Sequence, residues 1–142
     1  MSDPQDIRWK QRLGNFTRAF NLLREIVEST DDLTALEPIV KEGIIQRFEY
    51  TFELAWKTLN DLMQEDGLEV EKVSPKFVFK LAYQSKYIDE IEPWLKMTGD
   101  RNLMAHTYNF ETFDKMLRSL KQDYFPLLER LHLAFTEREA SE

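Results

Sequence analysis

IQRFEYTFELAWKTLNDL, residues 45–62, places its apolar side chains at Ile45, Phe48, Phe52, Ala55, Leu59 and Leu62. The steps alternate between three and four residues, which lines up one face of an α-helix; a strand would alternate every second residue. Around this seam the chain runs from Pro38 to Gly67 with Gly43 as its one breaker, so the spacing predicts a long helix over that span. Gly67 suits the left-handed position that commonly closes a helix. Leu54 and Trp56 lie off the seam and imply a second buried face, covered by another helix or another subunit.

The same period continues on both sides. Leu13, Phe16, Phe20, Leu23 and Val27 make a first helix that stops near Ser29-Thr30-Asp31-Asp32, a cluster of turn and cap residues. Ser74-Pro75 is a helix-start signal, with Phe77 and Leu81 giving the third helix its apolar face. Pro93 opens a stretch carrying Trp94, Leu95, Met97, Leu103 and Met104, weakened in the middle by Gly99 and Asp100. Asn109 caps a last helix whose face is Phe113, Leu117, Leu120, Tyr124, Leu127 or Leu128, Leu131 and Phe135. Pro126 falls inside that pattern, and a kink is expected there. The expected fold is all-α, an antiparallel up-and-down four-helix bundle with an additional short helix. Residues 1–142 form one domain in this reading, with a frayed tail over 136–142.

The composition narrows the function classes. The 142 residues are 42% hydrophobic and 32% charged, a globular balance with a net charge of -7 that disfavours broad electrostatic attraction to nucleic acid; any RNA contact must be focal. Cysteine is absent, which excludes disulfides and thiolate metal sites. His106 and His132 are the only imidazoles and form no His-x-x-x-His pair, so neither a metal nor any other cofactor is expected. The first six residues carry acids and lead into no apolar run, and no segment approaches the roughly 20 apolar residues of a membrane span. The expected location is the cytoplasm. No repeat or low-complexity segment is visible.

The segment richest in chemistry is Arg101-Asn102-Leu103-Met104-Ala105-His106-Thr107-Tyr108. Residues five apart on a helix diverge by roughly 140°, whereas residues four apart nearly superimpose. Asn102 and His106 therefore share a face, and the amide can orient the imidazole. For Arg101 and His106 to act on one phosphate, the helix must end or bend near His106, or a second subunit must supply its own copy. Arginine offers a permanent planar charge for phosphate oxygens, and histidine both donates and accepts protons near neutrality. Such a pair five apart also arises by chance in many helices, so spacing alone does not carry a function.

The wider context adds weight. Arg101 to Tyr108 resembles the Arg-x4-6-His motif, extended by x-Tyr, of the HEPN superfamily. Gln46 to Lys57 looks like the matching helix of its nucleotidyltransferase substrate-binding branch, the HepT-like proteins, and Tyr124-Phe125-Pro126 is also similar to that branch. The resemblance implies a homodimeric helical bundle partnered by a separately encoded minimal nucleotidyltransferase, whose own Gly-Ser and Asp-x-Asp signature this chain lacks. It further implies a metal-independent ribonuclease with Arg101 and His106 as catalytic residues, Asn102 as an accessory, and Tyr108 as the tyrosine that the partner adenylylates to switch the toxin-like nuclease off.

Two other functions compete. One is a non-catalytic subunit that binds the nucleotide or other substrate of the transferase; the other is a plain helical interaction module. His132 is expected to be a partly buried helical histidine. Trp56, Phe48 and Phe52 are expected in the core or a dimer interface, and Glu49 and Glu53 on a solvated face.

Overall fold

A computed structural model describes residues 4–106 and 109–142, with side chains from Ile7 onward. Its elements are helices throughout, with no strand among the described residues: α1 (Pro4–Ser29), a 3-10 turn (Leu33–Ala35), α2 (Pro38–Glu65), α3 (Pro75–Gln84), α4 (Glu92–Met104), α5 (Phe110–Ser119), a π-helical turn (Leu120–Tyr124) and α6 (Phe125–Ala140). α1 and α2 pack along each other, α6 lies against α1, and α3 and α4 bridge between α2 and α5. The all-α expectation holds. The pieces are two long helices, a composite α5–α6 and two shorter helices.

The seam residues read from the sequence form the core. Phe16, Phe20 and Leu23 of α1, Phe48, Phe52, Ala55 and Leu59 of α2, and Leu117, Leu120, Tyr124 and Leu128 of the last helices are all fully buried. Aromatic pairs tie the helices together. Phe20 stacks on Phe125 at 5.3 Å, Phe48 on Tyr124 at 6.2 Å, and Phe79 of α3 on Trp94 of α4 at 4.8 Å. His132 stacks on Phe20 at 5.0 Å, and its Nε2 lies 2.9 Å from the Thr17 hydroxyl, the partly buried role expected of it. Trp56 is buried by this chain alone, so its face needs no second subunit to cover it.

Three local expectations change. In α3 the buried side chains are Val78, Phe79 and Ala82, because Phe79 is held between Phe52 and Trp94; Phe77 and Leu81 sit half-buried at the flanks. Ser74 precedes that helix without a side-chain cap bond. Near Pro126 the strain is taken up one turn earlier. Proline has no N–H to donate, and the ladder widens so that the Phe125 N–H reaches the Leu120 carbonyl five residues back, giving a π-helical turn. Lys121 in that turn donates to the carbonyls of Val27 and Thr30, satisfying orphan acceptors at the end of α1.

At the charged end α6 runs on to Ala140 because Arg138 donates to Asp66 at the end of α2 (Nη1 to Oδ2, 3.0 Å) and pairs with Glu142 at 3.2 Å. Tyr87 also donates its hydroxyl to Asp66 at 2.5 Å, so one carboxylate joins α2, the α3–α4 connection and α6.

Two helices end in the same way. After α2, Gly67 takes φ 88°, the Leu68 N–H bonds the Met63 carbonyl at 2.9 Å, and the Gly67 N–H bonds that of Gln64 at 3.0 Å. After α3, Lys86 takes φ 67°, with Tyr87 bonding Ala82 at 2.8 Å and Lys86 bonding Tyr83 at 3.2 Å. Lysine thus occupies a left-handed position that favours glycine, and no glycine marks this helix end in the sequence.

Candidate functional site

α4 carries the candidate site at its C-terminal end. Trp94, Met97, Thr98 and Met104 bury one side of the helix, and the Tyr124 hydroxyl donates to Asp100 from the composite last helix. This bond fixes the residue immediately before Arg101. Burial first, then the bond to Asp100 and nearby acidic charge, push the Tyr124 phenol far above its ordinary range, so it remains a donor at all working pH.

Arg101 is held from three directions. Its Nη2 lies 3.2 Å from Glu53 Oε2, its Nη1 donates to Asn102 Oδ1 at 3.3 Å, and its guanidinium stands 5.7 Å from the Phe52 ring centroid. Glu53 is itself gripped by the Trp56 indole N–H at 3.0 Å and by Lys57 at 3.0 Å. Burial pushes the Glu53 carboxyl up. The hydrogen bonds from Trp56 and Lys57, with the charges of Lys57 and Arg101, outweigh it and hold Glu53 below the usual glutamate value. Glu53 is therefore the anchor of Arg101 and not an idle solvated carboxylate. The available sequence signal is its four-residue spacing to Lys57 on the helix that presents Phe52.

α4 stops at Met104, Ala105 caps it, and His106 follows with its N–H bonded to the Leu103 carbonyl at 3.2 Å. The helix thus ends just before His106, with Ala105 still in helical conformation at φ -66° and ψ -17°. The imidazole is exposed, and so is Asn102. Among the described residues no hydrogen bond joins these two, and the Asn102 oxygen serves Arg101 instead. Tyr108 lies outside the described residues. Asn109 caps α5 by accepting from the Glu111 N–H at 2.8 Å, as its place in the sequence suggests.

Around this end, Leu103 and Phe110 are exposed at 50% and 45%, an apolar rim flanking the His106 connection. Among the described residues no cluster of three or more histidine, aspartate or glutamate side chains is placed to hold a metal, and no helix is long and apolar enough to cross a membrane. The arrangement joins a fixed cation, an exposed imidazole and a short turn. That set can bind an anionic phosphorus centre and move a proton beside it.

Comparison with known proteins identifies the family. Residues 11–137 match the family model described as nucleotidyltransferase substrate binding protein like. A curated relative named "Probable ribonuclease HepT", from Haemophilus influenzae, is 28% identical over 72 residues, 49% of this chain and 49% of the relative. The match thus spans about half the length of that relative. A crystal structure of a Thermus thermophilus protein superposes with a TM-score of 0.67 at 33% identity, covering 87% of this chain and 97% of that one.

Proposed function

This chain belongs to the nucleotidyltransferase substrate binding protein like family, the HepT-like branch of the HEPN superfamily, and from that premise we propose that it is a metal-independent ribonuclease subunit with Arg101 and His106 as its catalytic pair. The observation that carries the reading is Arg101 held by Glu53 in the last turn of α4, with the exposed His106 just past the helix end; in this reading a homodimer completes the pair. The whole chain acts as one domain, an up-and-down four-helix bundle with an additional short helix.

In the proposed reaction the RNA 2′-hydroxyl attacks its neighbouring phosphorus. The 2′-oxygen forms the new P–O bond as the bond to the 5′-oxygen breaks. His106 moves a proton during this exchange, and Arg101 stabilises the negative charge developing on the non-bridging oxygens. Glu53 and Asn102 keep the guanidinium aimed, Asn102 being the accessory residue; no cofactor takes part. The exposed Leu103 and Phe110 support a homodimer that closes on this face and unites two copies of the site.

The partner in this reading is a separately encoded minimal nucleotidyltransferase, as in a toxin-antitoxin pair of the cytoplasm. It adenylylates Tyr108, two residues beyond His106, and the anionic adduct blocks the site and occupies Arg101. Purified protein incubated with RNA in EDTA, beside His106→Ala, tests the nuclease. Cleavage by the parent and none by the variant is expected; equal cleavage by both, or none by either, refutes it. With the partner and ATP, mass spectrometry should find the adduct on the parent and not on Tyr108→Phe. A protein that binds nucleotide tightly and cuts no RNA would instead be a non-catalytic substrate-binding subunit.

A further inference from the structure

The α4–α5 hairpin encloses a cavity of about 410 Å³ distinct from the Arg101–Glu53 pairing. α4 lines it with Lys96, Asp100, Leu103 and Met104, and α5 with Lys115 and Met116. Small-ligand sites span roughly 300–1,000 Å³, so one nucleotide-sized unit suits this space. Met104 of its lining stands two residues before His106 in the chain.

The lining is specific in its chemistry. Met104 and Met116 are buried and offer polarisable thioethers, which make favourable contacts with the edges and faces of aromatic rings. Lys96 and Lys115 are exposed, and among the described residues neither forms an ion pair, whereas Lys41, Lys57, Arg101, Arg130 and Arg138 each hold a carboxylate. Other exposed lysines such as Lys72, Lys76 and Lys80 also stand outside ion pairs among the described residues; what distinguishes Lys96 and Lys115 is that both line one cavity, where they can receive an external anion. Asp100, the one acid in the lining, already accepts the Tyr124 hydroxyl, and Lys96 stands 6.0 Å from the Tyr124 ring centroid.

We propose that this cavity holds one ribonucleotide unit of the RNA substrate, its base against Met104 and Met116 and its phosphate between Lys96 and Lys115, adjoining the phosphate that Arg101 and His106 act on. The inference rests on the ribonuclease reading for its ligand. A free nucleotide presents the same base and phosphate, and the test separates the two sources.

The reporters are the methionine methyl groups of the full chain labelled with carbon-13, read by NMR. A short 2′-O-methyl oligoribonucleotide, which lacks the attacking hydroxyl, is titrated in one arm and AMP in the other. The oligonucleotide should shift the Met104 and Met116 methyls and leave the fully buried Met63 and Met97 in place. The double variant Lys96→Gln/Lys115→Gln, its fold checked by circular dichroism, should bind roughly tenfold more weakly, with the salt slope reduced by about 0.7 for one lost phosphate contact on a single strand. Unmoved Met104 and Met116 methyls at saturation, or unchanged affinity in the double variant, overturns the proposal. AMP binding as tightly as the oligonucleotide overturns its RNA part and gives the cavity to a free nucleotide. RNA cleavage by the parent and His106→Ala proteins is read separately. A parent that cuts while its cavity methyls stay still defeats the cavity inference alone; a parent that never cuts while those methyls shift defeats the ribonuclease reading alone.

Discussion

Replacing Tyr124 by phenylalanine removes one hydroxyl and leaves the ring in the core. The ring is fully buried and stacks on Phe48, so its packing survives the change, and the deletion isolates the bond to Asp100. A hydrogen bond to a charged acceptor contributes roughly 1.5–3 kcal/mol net, and losing it strips a half-buried carboxylate of its donor. Asp100 keeps some access to water, which favours the lower half of that range, about 2 kcal/mol. For a chain of this length that lowers Tm by roughly 4–8 °C. Asp100→Asn retains a neutral acceptor and should cost about half as much, roughly 1 kcal/mol. The two changes together should cost less than their sum, since each removes the same bond. Thermal unfolding followed by far-ultraviolet circular dichroism measures all three. A Tm drop under about 1 °C for Tyr124→Phe, or full additivity in the double variant, refutes the claim that this bond anchors the end of α4.

Lys86→Gly should stabilise the protein by about 0.5–1 kcal/mol by relieving the left-handed conformation after α3, whereas Gly67→Ala, at φ 88°, should destabilise it by a similar amount; urea unfolding of both compares them directly. Asp66 has its carboxyl held below the ordinary aspartate value of 3.8, by the Arg138 hydrogen bond first and the Tyr87 bond after it, against burial. Its stabilisation is therefore present above the unfolded value and lost as pH falls through the folded one, and Asp66→Asn should flatten the acid limb of stability measured from pH 6 down to about 3. Burial, then the charge of Arg24, lowers His132 below its ordinary value of 6.5, so the unfolded chain takes up a proton that the folded one refuses. Stability should fall as pH drops through that value, and His132→Phe should remove the step from a Tm-versus-pH profile. Glu53→Gln keeps an acceptor for the Trp56 indole and removes the charge that aims Arg101. RNA cleavage should drop by roughly tenfold or more while Tm moves by under about 4 °C, in keeping with the modest worth of a partly exposed pair.

The helices were legible wherever one face had to be apolar. The three-four spacing of Ile45 to Leu62 and of Leu13 to Val27 identified the side chains that the fold buries, because a long helix against a core leaves little freedom in which face turns inward. α3 is the counterexample. It is short, and Phe77, Leu81, Val78 and Phe79 offer two competing apolar faces; the stack of Phe79 on Trp94 decides between them, and no spacing rule contains it. The left-handed turn at Lys86 escaped for a similar reason. Its signal is usually glycine, and here a lysine is carried through by the backbone bond of Tyr87 to Ala82 and the grip of Asp66 on the Tyr87 hydroxyl.

The candidate site divides along the same line. The local element within reach of the sequence was the cap at Asn109, which depends on residues a few positions apart. Asn102 shows the limit of that reasoning. The spacing places it on one face with His106, whereas in the fold its side-chain oxygen accepts from Arg101. The two contacts that hold the site in place, Glu53 with Arg101 and Asp100 with Tyr124, span 48 and 24 positions and join different helices. Amphipathic spacing assigns all four residues to faces and says nothing of which faces meet. Yet these two bonds grip successive residues of α4 from opposite partners, α2 through Arg101 and the composite last helix through Asp100. That double hold would matter for Arg101 in the proposed catalytic role, since a long side chain otherwise loses close to 2 kcal/mol of rotamer freedom on meeting a phosphate. An arginine already fixed when the RNA arrives has met that cost in folding, which is why losing the partly exposed Glu53 hold should slow cleavage more than it weakens the fold.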